Sequence, residues 1–184
     1  IRLSGKSGHS SDPGLGNNAL DAMYAVIGEL IRYRKELKAR YSNDLFKIPY
    51  PTMNLGSIHG GDNPNRICGH CTLEFDVRLT PGMHMDSVRA EISERISRIT
   101  NPLGIQFEMT PIFTGVPAFF AKENSTLLKT AEELTGHTGI SVAFGTEGPF
   151  LQQLGMDTII MGPGNIDQAH QPDEYMSMKM IKAA

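Results

Sequence analysis

The sequence predicts an α/β protein in two parts: a ferredoxin-like βαββαβ sandwich over residues 1–112, then part of a second α/β domain over 113–184. Three observations predict it. Residues 71–79 alternate strictly, with Cys71, Leu73, Phe75, Val77 and Leu79 on one face and Thr72, Glu74, Asp76 and Arg78 on the other. Two stretches of helical periodicity flank this strand and its neighbour, giving the order of a split βαβ sandwich. Beyond Thr110 the texture changes to short apolar runs separated by Gly and Pro.

Each element has a local reason. Ile1-Arg2-Leu3-Ser4 reads as a strand, and residues 6–16 form a loop dense in Gly, Ser, Asp and Pro. Asn17 or Asn18 caps a long amphipathic helix in which Leu20, Met23, Ile27, Leu30, Leu37 and Tyr41 recur at helical spacing, opposite Arg32, Lys35, Glu36 and Arg40. Residues 52–58 make a second strand and residues 59–64 a turn before the alternating strand. Val88, Ile92, Ile96 and Ile99 mark the second helix; Ile105, Phe107 and Met109 mark the fourth strand. In the second part, Asn124 or Ser125 caps a helix through Leu134, and residues 140–143 and 158–161 read as strands of a parallel sheet. A helix at 150–154 lies between them, and a last helix begins near Asp173. Two strands are too few for a sheet-based core. The opening on a strand under way and the closing helical pattern without a stop signal raise the expectation of a longer parent protein.

Composition narrows the function classes. A formal net charge of −3 argues against a phosphate-tracking nucleic-acid binder, and no apolar run reaches the length of a membrane span. Two Cys residues do not make a disulfide framework, so a reducing, cytoplasmic setting is expected. Cys68-Gly69-His70-Cys71 is two ligands short of a zinc knuckle, and Cys71 fits the buried register; both thiols read as structural.

Three places carry candidate chemistry. His170 lies in a Gly-rich loop after an apolar run, flanked by Asp167, Gln168, Asp173 and Glu174; this is either a ligand site or a solvated turn before an acidic helix start. His9, in Gly8-His9-Ser10-Ser11-Asp12-Pro13, is either a hydrogen-bond donor to a substrate or the solvated ring of a tight turn. Asn65 and Arg78 suit a carboxylate or oxyanion, although an Arg on a polar strand face is commonly only solvated.

The runs Gly5-Lys6-Ser7-Gly8-His9-Ser10-Ser11-Asp12-Pro13, Ile58-His59-Gly60-Gly61-Asp62, Asn65-Arg66-Ile67-Cys68 and Gly162-Pro163-Gly164-Asn165-Ile166-Asp167-Gln168-Ala169-His170-Gln171-Pro172-Asp173-Glu174-Tyr175 carry a resemblance. In them the chain resembles the dinuclear-zinc amidohydrolase and exopeptidase family, in its acetylornithine deacetylase branch. The resemblance implies a ferredoxin-like lid that forms a homodimer, inserted into a zinc-exopeptidase α/β catalytic domain. It implies two zinc ions per active site, or cobalt, and a small N-acylated amino acid as substrate. It further implies deacetylation of N2-acetyl-L-ornithine in arginine biosynthesis; a desuccinylase, a dipeptidase or a non-catalytic lid module are the alternatives. By the same resemblance His170 is a metal ligand and His9 stabilises an oxyanion in a neighbouring active site. Asn65 and Arg78 bind the transition state and the substrate carboxylate, while Gly145, Thr146, Gly162, Gly164 and Asn165 line the pocket. The family's His-x-Asp ligands and its Glu-Glu base do not occur here, and Glu132-Glu133 reads as helix surface. The chain on its own is therefore expected to be inactive.

Overall fold

A computed structural model describes residues 1–122, 124–142 and 144–183. The chain divides into two compact units, Ile1–Phe120 with Ile140–Pro149, and Ala121–Gly139 with Phe150–Ala184.

The first unit has the expected sandwich. β1 (Arg2–Ser4), α1 (Ala19–Arg40), β2 (Thr52–Gly60), β3 (His70–Arg78), α2 (Met85–Thr100) and β4 (Gln106–Glu108) follow in that order. The sheet order is β2-β3-β1-β4, with every pairing antiparallel. Leu3 faces Cys71 and Phe107 across β1. The period-2 rule then sends Cys71, Leu73, Phe75 and Val77 toward the helices and His70, Thr72, Glu74, Asp76 and Arg78 to the open face. A bulge at Leu55/Ser57 shifts the β2–β3 register midway.

The helices form because their apolar residues recur on one side. Ala19, Ala22, Met23, Val26, Leu30, Tyr33 and Leu37 are the buried stripe of α1, and Val88, Ile92, Ile96 and Thr100 that of α2. Asn18 is the cap of α1: its Oδ1 accepts from the amides of Leu20 at 3.0 Å and Asp21 at 3.4 Å. Each fully buried aliphatic side chain contributes roughly 1.5–3 kcal/mol relative to exposure. Leu3, Leu30, Leu73 and Ile96 meet in this one cluster, so the unit has a core of its own. Across the two helices Arg95 donates to Glu36 at 2.6 and 3.3 Å and to Glu29 at 2.8 Å, with its guanidinium 4.4 Å from the Tyr33 ring centre.

Two features remain open. β2 is an edge strand of nine residues. On α1, Leu20, Tyr24 and Gly28 follow at four-residue steps; Tyr24 is 82% exposed, and a Cβ on Gly28 would point into open space.

Beyond Phe120 the chain departs from expectation. α3 (Thr126–Thr135) forms, with the Ser125 hydroxyl accepting from Leu128 N at 2.9 Å. α4 (Gly148–Gln153) also forms. The strands expected at 140–143 and 158–161 do not: residues 140–142 and 158–161 are irregular, and Ala143 lies outside the described residues. A lone strand leaves its ladder groups unpaired, and the four strands of the described residues, β1 to β4, pair only with one another. Instead of a helix from Asp173, the chain turns through Asp173 at φ 60°, and α5 (Met178–Ala183) begins later.

Candidate functional site

The loop after β1 and the segment before β3 lie at the same end of the sheet, because the two strands are antiparallel neighbours with Ser4 opposite His70. The backbone then stitches them together. Ser10 N donates to Asn65 O at 3.0 Å, Ile67 N donates to Gly8 O at 2.8 Å, and His9 and Arg66 form an isolated bridge. The stitching is tight: a Cβ on Gly8 would stand 3.0 Å from Leu15 Cβ and 3.2 Å from Ile67 Cδ1, so these neighbours would have to give by a few tenths of an ångström. The result is an open concavity of about 430 Å³ lined by Ser7, Gly8, His9, Asn65 and Arg66.

Two site residues named from the sequence are thus brought together. His9 and Asn65 are both exposed and share this hollow. The His9 ring is held at Nδ1, which accepts from Ser11 N at 3.2 Å and lies 2.7 Å from Ser11 Oγ. The ring is exposed and its loop is a tight turn, with Asp12 N donating to His9 O at 3.2 Å. Ser7, Ser11 and Arg66 were missed as site residues. Arg66 adjoins Asn65 and pairs with Asp62; Ser11 sits two residues after the imidazole, a separation that lets a hydroxyl reach back to a ring. A larger open depression of about 760 Å³ lies by β4, but none of its lining residues, Asn101, Gly104, Ile105, Gln106 and Phe107, is ionisable.

Arg78 is not part of this cluster. It ends β3, on the open face, with a 70% exposed side chain whose Nε donates to Asp76 at 3.0 Å. The eight steps of strand from His70 to Arg78 span roughly 26 Å.

Gly145 and Thr146 precede α4, and the Thr146 hydroxyl accepts from Gly148 N at 3.2 Å. In the second unit, Gly164 has φ 110°, a conformation that favours glycine, and Gly162 is open. Asn165 Oδ1 is engaged by Asp167 N at 3.0 Å, capping a short 3-10 turn. His170 is exposed and adopts φ 63°, unusual for a residue with a Cβ, while its amide donates to the Glu174 carboxylate at 3.2 Å. The imidazole therefore projects from a strained turn and is accessible to a ligand. Among the described residues no three His, Cys, Asp or Glu side chains converge on a common point, so His170 has no cluster of metal-ligand partners among them. Glu132 and Glu133 keep to the helix surface, with Glu132 accepting from Gly139 N at 2.7 Å. Cys68 and Cys71 are both buried and unbonded to each other, and burial pushes the Cys71 thiol pKa up. No helix among the described residues is long and apolar enough to cross a membrane.

Residues 1–102 match the peptidase dimerisation domain family. The chain is 42% identical over 181 residues to an acetylornithine deacetylase of Aliivibrio fischeri, covering 98% of this chain and 48% of that protein. It is 42% identical over 182 residues to an acetylornithine deacetylase of Pectobacterium carotovorum, covering 99% and 47%. The chain thus spans about half the length of the relatives it matches. Among solved structures, an aminopeptidase from Bacillus cereus superposes with a TM-score of 0.64 at 18% identity, over 89% of this chain and 42% of that one. A tripeptidase from Staphylococcus aureus gives 0.58 at 20% identity, over 85% and 40%. These two likenesses speak to the fold alone. With more than half of its residues matched, β1 to β3 and both helices of the sandwich included, the chain belongs to the peptidase dimerisation domain family.

Proposed function

We propose that the chain is the lid, residues 1–112, and the C-terminal catalytic portion, residues 113–184, of a metal-dependent amide hydrolase. Its substrate is N2-acetyl-L-ornithine, and its products are ornithine and acetate for arginine biosynthesis in the cytoplasm. The observation that carries this reading is the meeting of His9 and Asn65 in one concavity, within a chain so similar along its length to acetylornithine deacetylases.

The chain's own groups have defined parts in it. His9 donates from its outer ring nitrogen to the oxygen on which negative charge develops when the amide carbonyl is attacked. A preorganised donor of this kind is typically worth about 2.7–4 kcal/mol. The Asn65 amide beside it serves as a second donor, and Arg78 takes the substrate carboxylate with a planar, always-charged group. Arg78 is too far along β3 to meet His9 on one small molecule, so two copies of the chain supply the two groups. The long β2 edge and the Leu20–Tyr24–Gly28 stripe of α1 support association as a homodimer. Gly145, Thr146, Gly162, Gly164 and Asn165 belong to loops lining the pocket. His170 contributes a single ligand to a zinc site; the remaining ligands lie in the portion of the relatives that this chain does not span.

A second reading, favoured by the absence of a ligand cluster among the described residues, treats the chain on its own as a non-catalytic dimerisation and substrate-covering module. The assay is direct. The chain with zinc or cobalt shows no turnover of N-acetylornithine above a His170→Ala control, whereas in the longer protein His9→Ala lowers kcat about 100- to 1000-fold. Turnover by the chain alone, or an unimpaired His9→Ala enzyme, overturns the reading. Faster hydrolysis of N-succinyl-diaminopimelate by the longer protein moves it to a desuccinylase, and monomers at tens of micromolar in sedimentation count against the dimer.

A further inference from the structure

We infer that Ser11 is a positioning residue that fixes the tautomer of His9. A neutral imidazole carries one proton on one of two nitrogens, and only the protonated nitrogen can donate. Two donors from Ser11 converge on Nδ1. The backbone N–H, at 3.2 Å, has no acceptor capacity, so its hydrogen bond requires an unprotonated Nδ1. With Nδ1 an acceptor, the Ser11 hydroxyl at 2.7 Å donates to it as well. The proton of the ring therefore sits on Nε2.

No other side chain competes for the ring. Nδ1 is engaged by Ser11 alone, and among the described residues Nε2 has no hydrogen-bond partner. The loop is also held from behind, since Ser10 N is bound to Asn65 O and Asp12 N to His9 O. An N–H donor is thus presented at the concavity that His9 shares with Asn65. A histidine that donates to an oxyanion needs this tautomer, and a partner on the other nitrogen is how proteins select it. This inference rests on the proposed oxyanion role for its purpose, but not for its physics.

The test separates the two. In the isotopically labelled chain, long-range proton–nitrogen correlation spectra are recorded at about pH 8.5, two units above the ordinary histidine value. His9 then shows an acceptor-type Nδ1 and a protonated Nε2. Ser11→Ala raises the minor Nδ1-protonated form about fivefold, the factor that one net hydrogen bond controls. Ser11→Thr, which restores a hydroxyl, returns the spectrum to its starting position, and Ser10→Ala leaves it unmoved. A proton on Nδ1 in the unaltered chain, or a Ser11→Ala spectrum identical to it, overturns the inference. In the longer protein the Nε2-protonated form stays in the majority after Ser11→Ala, so kcat falls by less than about twofold with KM unchanged. If His9→Ala leaves turnover intact while the spectra behave as described, the oxyanion role fails and the tautomer control stands.

Discussion

The loop that carries His9 is held by contacts that leave no room for a methyl group, and Gly16→Ala measures them. Gly16 is extended, at φ −149° and ψ 179°, which any residue adopts, so backbone freedom is not what glycine supplies here. A Cβ at this position would lie 2.2 Å from Lys6 O and 3.2 Å from two Ile67 carbons, whereas such contacts open to at least 3.0 Å. Lys6 O is the acceptor for Asn17 N at 2.9 Å, and Lys6 N donates back to Asn17 O at 3.0 Å. Pushing the Lys6 carbonyl away breaks this two-bond bridge, at about 1 kcal/mol for each bond. Alanine returns roughly 0.4–1 kcal/mol by restricting the unfolded chain. The net loss is about 1–2 kcal/mol, or on the order of 10 °C in the melting of a unit this size. Urea titration followed on the amide resonances of β1 and β3 reads the loss, and the amides of His9 and Asn65 shift together. A change under about 0.5 kcal/mol with those resonances unmoved would refute the reasoning.

Asn18→Ala removes the cap of α1 and costs about 1 kcal/mol in the same titration, while Asn18→Asp retains most of it. The hydrogen bond from Arg95 holds the Glu36 carboxyl below its ordinary value of 4.5. A depressed folded pKa gives stability that is present above 4.5 and lost as pH falls below it; Glu36→Gln flattens that acid limb, and an unchanged limb rejects the assignment. The Cys71 thiol is displaced the other way, by burial first and by Cys68 second, from an ordinary 9.0. The folded chain then holds this proton longer than the unfolded one, so stability is full below 9.0 and declines as pH rises past it. Cys71→Ala lowers stability overall through the lost packing but removes this alkaline decline, which denaturation at a series of pH values records.

Much of the sandwich was legible because its signals are local. The alternation through Cys71, Leu73, Phe75 and Val77 set the face of β3, and the pair Asn17-Asn18 announced the start of α1, which Asn18 caps. What was not legible depends on partners far along the chain. The apolar runs at 140–143 and 158–161 have strand composition, yet Ile140 and Met161 stay exposed, since a strand exists only beside another strand. His9 and Asn65 were named separately, and nothing in their spacing shows that they meet. Their meeting follows from the pairing of β1 with β3, a tertiary fact. The role of Ser11 was hidden for a different reason: in sequence it is one more residue of a polar turn, and only the direction of its N–H distinguishes it.

That pairing also separates Arg78 from His9, and the separation has a testable consequence. An antiparallel neighbour places the end of β1 beside the start of β3, so the end of β3 points away, whatever the loops do. A substrate the size of an acylated amino acid cannot bridge the roughly 26 Å length of a nine-residue strand. If both groups act on one substrate, they come from different copies around a two-fold axis. Mixing inactive His9→Ala and Arg78→Ala versions of the longer protein then restores activity. In a mixed dimer one site receives both intact groups and the other receives neither. With random re-pairing of equal amounts, about a quarter of the unaltered turnover returns. Were both groups supplied to a site by a single copy, every site in every dimer would keep one defect, and mixing would restore nothing.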